Sequence, residues 1–206
     1  MRPVGYSIAG IVLAAGASER MGSPKANLET PKKRTLLDLQ CVLLASSGCE
    51  GVSVVVGADA TAIRERNSAL PVEWIENSEW RKGQFSSLIA GVRSALASGA
   101  QGAIVLPVDA AGVSESVVMA LIETGLRNPH LDAVVPEFEG KKGHPVYLSR
   151  TFCEALAALD PNSDNARLDM QLEGARSIVR LPVNDPNVVK NINTAEEWKV
   201  FSSGPA

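Results

Sequence analysis

A chain of 206 residues, 45% apolar and 21% charged, is long enough for a substantial core and has an ordinary globular composition. Its net charge of −3 excludes a general nucleic-acid binder, so an anionic ligand must be caught by local cations and not by an overall field. No apolar run reaches the roughly 18 residues of a membrane span, and Cys41, Cys49 and Cys153 lack metal-site spacing, so a single cytoplasmic domain over residues 1–206 is expected.

Arg2, the run Ile8–Ala15 and the small residues Ala14-Ala15-Gly16-Ala17 faintly resemble a signal peptide. The run is short, however, and contains Gly10, and a charged loop follows it. Ile8–Ala15 is better read as a buried strand. In the loop, Gly16 and Gly22 let the main chain bend and approach a ligand, while Arg20 and Lys25 add two cations. Backbone donors plus two cations at the carboxyl edge of an open α/β sheet suit a polyanion such as a triphosphate. The spacing matches neither the Walker loop nor the dinucleotide fingerprint.

Pro31-Lys32-Lys33-Arg34 reads as a solvated turn, and Leu36–Ser47 as a buried helix ended by Gly48. Val52–Val56 predicts a second strand, Asp59–Asn67 a short helix and Val72–Glu76 a third strand. The segment Asn77–Leu88 leads into a helix running to about Ala97, with Ser86 or Ser87 as its cap and free amides that can meet a ligand. Ala103–Pro107 predicts a fourth strand, followed by Val108 and Asp109, and Ser114–Leu126 a helix capped by Ser114. Ala133–Pro136 is a fifth strand, Glu137–Gly143 a lysine-bearing turn and His144–Leu148 a strand-like run. Arg150–Leu159 and Ala166–Leu172 predict helices, separated by a loop at Asp160–Asp164. Ile178–Val183 and Val188–Ile192 predict short strands, Thr194–Phe201 a last helix capped by Thr194, and Ser202–Ala206 a frayed tail. Cys41 and Cys153 fall in apolar helical patterns and are expected to be buried thiols. This alternation predicts an α/β three-layer sandwich: a mostly parallel Rossmann-like sheet, with an antiparallel strand in the second half.

Asp109 follows a continuous apolar strand, which places its carboxylate at the ligand edge of the sheet. A hard oxygen there suits Mg²⁺, which is commonly held by one or two protein oxygens plus substrate phosphates. A turn or helix-cap aspartate is the alternative. His130 and His144 are the two histidines of the chain, which excludes a histidine metal cluster.

The run Leu13-Ala-Ala-Gly-x-Ser-x-Arg-Met-Gly-x-Pro-Lys25 resembles the signature of the nucleotidyltransferases that include the molybdenum cofactor cytidylyl- and guanylyltransferases. The resemblance covers roughly Ile11 to Trp198. It implies nucleotide contacts at Leu13, Ala14, Ala15, Gly16, Arg20 and Lys25, with Asn77, Ser86 and Ser87 approaching the base and ribose. It makes Asp109 a metal ligand in the family's Pro-x-Asp, although Ala110-Ala111-Gly112 stands where a bulky residue and proline are usual. Gly143-His144-Pro145 resembles the family's Gly-His-Pro, which faces the acceptor, and Arg176 of Gly174-Ala-Arg-Ser177 would reach an acceptor phosphate. Asn191-Ile-Asn-Thr-Ala-Glu-Glu-Trp198 resembles a late motif in which Asn193 supplies a second metal oxygen, with Ala195 in place of its proline.

The implied catalytic set is Arg20, Lys25 and Asp109, with Mg²⁺ as cofactor. The implied reaction moves a nucleotidyl group onto a phosphorylated small-molecule acceptor, molybdopterin first, and releases pyrophosphate. The Ala-Ala-Gly loop resembles that of cytidylyltransferase-like members, which implies CTP as donor. A sugar phosphate or another phosphomonoester is the alternative acceptor. Readings from other classes are a nucleotide- or cofactor-binding carrier without turnover, and a Rossmann oxidoreductase, which the missing glycine fingerprint disfavours.

Overall fold

The computed structural model describes residues 7–203, so the readings of Arg2 and of residues 204–206 of the tail lie outside the described residues, while Ser202 and Ser203, expected in that tail, continue the last helix. Four strands, β1 (Ile8–Ala14), β2 (Gly51–Val56), β3 (Glu73–Glu76) and β4 (Gly102–Pro107), lie side by side in the order β3-β2-β1-β4, all parallel. The helices between them are α1 (Leu36–Ser46), α2 (Ala60–Arg66) and α3 (Gln84–Ala97). The second half adds α4 (Glu115–Arg127), β5 (Ala133–Phe138), the two-residue β6 (Lys141–Lys142) and β7 (Val146–Ser149). It closes with α5 (Arg150–Ala157), α6 (Leu168–Glu173), β8 (Ile178–Pro182) and α7 (Ala195–Ser203). β7 sits between β4 and β5 and runs antiparallel to both, whereas β8 pairs parallel with β5. The expected three-layer architecture with an antiparallel strand in its second half is therefore what the chain adopts.

Strand side chains alternate between faces, so β1 feeds two separate cores. Ile8, Val12 and Ala14 join Leu36, Leu37, Ile63, Val118, Leu121 and Trp198 on the side covered by α1, α2, α4 and α7. Ile11 and Leu13 join Leu88, Val92, Phe152, Leu156 and Leu172 on the side covered by α3, α5 and α6. Each such side chain contributes roughly 1.5–3 kcal/mol on burial, so this double coverage carries most of the fold. α3 approaches the sheet closely because Gly91 has no side chain: a Cβ there would lie 2.6 Å from Ile11 Cγ2. Among the described residues no helix is long and apolar enough to cross a membrane.

Two local expectations are corrected. Val188–Ile192 is not a strand; Pro186–Val189 forms a 3-10 turn, started by the Asp185 side chain accepting from the Asn187 N–H at 2.9 Å. Ser114 precedes α4 without a side-chain capping bond; its hydroxyl meets Ser116 Oγ at 3.0 Å, and its N–H donates to Asp185 Oδ2 at 2.9 Å.

Candidate active site

The register pairs Leu13 with both Val55 and Pro107, so β1, β2 and β4 end together at one edge of the sheet. The loop leaving β1 turns through Ser18 and Gly22, both in the left-handed region with φ of 50° and 66°. Ser18 closes it: its hydroxyl accepts from the Lys25 N–H at 3.1 Å, and its carbonyl from the Met21 N–H at 2.8 Å. The single 3-10 turn Glu19–Met21 leaves Arg20 exposed on the cleft wall. Gly16 is exposed with open space around it, which leaves the main chain there accessible.

Lys25 begins the next 3-10 turn and reaches across the cleft. Its Nζ donates to Asp109 Oδ2 at 2.7 Å and to Asn193 Oδ1 at 2.9 Å. The side chains of Lys25 and Asp109 are only 13% and 24% exposed, so solvent screens this pair less than a surface ion pair. Asp109 is fixed from both flanks: the Val108 N–H donates to Leu13 O at 3.0 Å, and the Ile192 N–H to Asp109 O at 2.8 Å. Asn193 is fixed by a reciprocal cap on α7, of the Thr-x-x-Glu kind. Glu197 Oε2 accepts from the Asn193 and Thr194 N–H groups at 2.6 and 3.0 Å, while Thr194 Oγ1 accepts from the Glu197 N–H at 3.2 Å. The amide of Asn193, chiefly, holds the Glu197 carboxyl below the usual carboxylate range.

Lys25, Asp109 and Asn193 line a cleft of about 860 Å³. A neighbouring cavity of about 570 Å³ shares Leu13, Gly83, Gln84 and Pro107 with it and contains Gly143 and His144. Its floor is apolar, with Phe85, Leu88, Val105, Val135 and Val146, and its rim carries Lys82, Lys142 and Arg167. Gly143 is pressed against the 186–189 turn, where a Cβ would lie 2.3 Å from Val188 O. The His144 N–H donates to the same carbonyl at 2.8 Å, and the His144–Pro145 peptide is cis. His144 Nδ1 is buried with no protein partner. Burial pushes the imidazole below its ordinary value of 6.5, with the charge of Asp109 opposing part of that effect.

Of the residues singled out from sequence, Leu13, Ala14, Ala15, Gly16, Arg20, Lys25, Ser87, Asp109 and Asn193 all line the larger cleft. Asn77, Ser86 and Arg176 line neither cavity. Asn77 is buried, and its amide donates to Ser86 Oγ and Ser87 Oγ at 2.9 and 3.0 Å. Ser86 Oγ in turn donates to Gly83 O at 2.8 Å, so this polar knot is spent within the fold. α3 begins at Gln84, two residues before Ser86 and three before Ser87, so neither serine caps it, and its N-terminus has no side-chain cap. Arg176 is exposed, and its N–H donates to Asp132 Oδ2 at 2.7 Å.

Several lining residues went unread. Trp80 and Arg81 form one cleft wall, with the guanidinium 4.3 Å from the ring centroid. An aromatic–basic pair in the segment after β3 was the available signal. Arg167 on the smaller cavity carried no such signal, since Ala166–Leu172 reads only as a helix and the residue instead precedes α6.

A family model described as the MobA-like NTP transferase domain matches residues 10–180. The chain is 27% identical to the nicotine blue oxidoreductase of Paenarthrobacter nicotinovorans, over 92% of this chain and 94% of that protein. It is also 27% identical to a protein of Mycobacterium ulcerans named "Probable molybdenum cofactor guanylyltransferase", over 93% and 91% respectively. Among solved structures, Rv0371c of Mycobacterium tuberculosis superposes with a TM-score of 0.79, covering 98% of this chain and 100% of that one at 23% identity, a likeness of fold. The same protein has been solved as a complex with manganese, with a TM-score of 0.74 at 22% identity, covering 97% of this chain and 100% of that one. The matched family span opens inside β1 and closes inside β8, and so takes in the strand order that builds the cleft; the chain belongs to the MobA-like NTP transferase family and is a nucleotidyltransferase.

Proposed function

We propose that the enzyme transfers GMP from GTP onto the phosphate of a molybdopterin-type acceptor and releases pyrophosphate. The observation that carries the transferase chemistry is Lys25 Nζ bridging Asp109 and Asn193 inside a cleft bounded by the Gly16–Arg20 loop. The acceptor phosphate is itself the nucleophile. One of its oxygens attacks the α-phosphorus, and the bond from that phosphorus to the oxygen shared with the β-phosphate breaks. Such a reaction needs positioning and charge stabilisation more than covalent help. Arg20 and Lys25 supply the charge that neutralises the triphosphate and the departing pyrophosphate. His144, kept neutral by burial, offers the acceptor a hydrogen bond without adding charge.

The residues present fit a divalent cation. A carboxylate oxygen and an amide oxygen already converge on one cation, the Lys25 ammonium. No cluster of three or more His, Cys, Asp or Glu suited to a metal occurs among the described residues, and a pair of hard oxygens is the donor set of magnesium bound together with phosphates. Asp109 and Asn193 would hold Mg²⁺. Bound there, the ion would polarise phosphate oxygens and offset charge on the transferring group.

The base is reassigned from CTP to GTP. The CTP reading rested on the short Ala14-Ala15-Gly16 loop, whereas a relative covering nine-tenths of the chain bears the name of a guanylyltransferase. The oxidoreductase name of another relative makes NAD(P)H the necessary comparison. The test is calorimetric titration with GTP, CTP, ATP and NADPH, followed by pyrophosphate release and product mass with phosphorylated acceptors. Tightest binding of GTP and acceptor-dependent pyrophosphate release are expected. Preference for CTP would overturn the base, and binding of NADPH without any triphosphate would overturn the transfer reading.

A further inference from the structure

We infer that Gln40, a residue outside both cavities, is a positioning residue for the metal ligand Asp109; this rests on the metal reading above. Gln40 lies in the middle of α1 and is 2% exposed. α1 otherwise buries leucines and Cys41 against the sheet, and an uncharged amide there is costly unless its hydrogen bonds are made. Its Nε2 donates to Val108 O at 3.1 Å and to Ala110 O at 2.9 Å. A primary amide has two N–H donors, and both are spent on the two carbonyls that bracket Asp109.

This grip supplies what the sequence of the loop lacks. Ala110, Ala111 and Gly112 are small, and Gly112 has a φ of 82°, so local side chains do little to stiffen the turn after Asp109. The other restraints on that turn are the Ala110 N–H to Pro107 O at 3.1 Å, the Ala111 N–H to Asp109 O at 3.0 Å, the Asn187 side-chain amide to Gly112 O at 2.8 Å beyond Asp109, and the Ile192 N–H to Asp109 O. The last of these ties Asp109 to the segment that carries Asn193. Gln40 is the side chain that pins the turn to α1, and α1 is anchored in the core. A ligand held within a few tenths of an ångström keeps its metal affinity, and loss of such a supporting bond typically costs 10- to 100-fold in metal affinity or activity.

The experiment uses manganese(II) alone as the probe, followed by the electron paramagnetic resonance of the free ion, with Gln40→Met, Gln40→Asn and a core control, Leu156→Ala. Gln40→Met keeps the shape and removes both donors. Gln40→Asn keeps the amide, withdraws it by one methylene and remains foldable if the methionine variant is not. Leu156 is fully buried in the opposite helical layer, so its truncation lowers stability without touching the turn. Manganese binding should weaken about tenfold or more in both Gln40 variants and stay unchanged in Leu156→Ala. In the same variants the magnesium concentration for half-maximal pyrophosphate release should rise, and excess magnesium should recover part of the turnover, which a merely structural loss would not allow. Wild-type manganese affinity in folded Gln40→Met and Gln40→Asn overturns the inference and leaves the metal site standing. Absence of manganese binding in the wild-type protein, with or without triphosphate, overturns the site itself and this inference with it.

Discussion

Lys25 gathers two oxygens that are 84 and 168 residues away from it in the chain. An ammonium at 2.7 Å from a carboxylate occupies the space a divalent ion would need, so the proposed metal site requires the lysine to move away, onto the phosphates. Lys25→Met should therefore have two opposite effects. Turnover should fall by about 10²-fold or more, as when one positioned charge is removed from a transferring group. Manganese binding without nucleotide should strengthen, because the competing cation is gone. Pyrophosphate release and manganese titration check the two effects separately. Unchanged turnover would remove Lys25 from the catalytic set, and weaker manganese binding would remove the competition.

His144 gives a pH signature at the same scale. Burial holds its folded-state value below 6.5, so between the two values the unfolded chain binds more protons than the folded one. Stability is then fully present above pH 6.5 and is lost as pH falls toward the folded value. His144→Asn should flatten that part of the pH–stability curve, measured by urea unfolding from pH 7.5 to pH 5. A slope that survives the substitution would assign the acid sensitivity to another group. Cys41 and Cys153 show the opposite sign: burial pushes both thiols up to about 12, so they are inert packing groups and not nucleophiles.

Elements were legible where the chain's own pattern decides them, and illegible where a distant side chain does. The β1 run, the helix after Thr35 and the Thr194–Glu197 cap all formed at or near their expected positions. Asp109 was legible as the residue beyond an apolar strand, and Lys25 as the end of a glycine loop. Val188–Ile192 looked like a strand because it is apolar. The competing factor was Asp185, whose carboxylate starts a 3-10 turn and also takes the Ser114 N–H at the head of α4. Gln40 was illegible for the same reason, since its partners are 68 and 70 residues away. Ser86 looked available for a base because nothing local shows that it is tied to Asn77 and Gly83, whereas Ser87 accepts from Asn77 and still lines the larger cleft. Asp185→Ala should cost about 0.5–2 kcal/mol, the range for removing a side chain that caps main-chain N–H groups, and Asp185→Asn should cost less because it keeps an acceptor. Urea unfolding with an unchanged m-value would confirm a local loss. Equal stability of the alanine variant would mean that Asp185 does not set this corner.

At the scale of the whole molecule, the two cavities meet over Leu13, Gly83, Gln84 and Pro107. Leu13 and Pro107 stand at the carboxyl edge where β1 and β4 end, while Gly83 and Gln84 open α3. The larger cleft holds the loop cations and the Asp109–Asn193 pair, whereas the smaller holds an apolar floor and His144. This partition predicts that donor and acceptor affinities can be altered independently. Lys142 and Arg167 rim the smaller cavity, and each already faces a carboxylate: Lys142 lies 3.9 Å from Glu173, and Arg167 lies 2.6 Å from Asp169. These are solvent-screened surface pairs that stabilise little, so exchanging either carboxylate for an acceptor phosphate costs little. Lys142→Ala combined with Arg167→Ala should raise the acceptor KM about tenfold to a hundredfold, which corresponds to about 1.4 kcal/mol per decade. The triphosphate Kd should stay at its wild-type value, and stability should shift by no more than about 0.5 kcal/mol, as for other exposed substitutions. Pyrophosphate release at varied acceptor, beside calorimetric titration of the triphosphate, separates the two constants. A weaker triphosphate with an unchanged acceptor KM would mean that the cavities are assigned the wrong way round, and Arg20 and Lys25 would then face the acceptor phosphate instead.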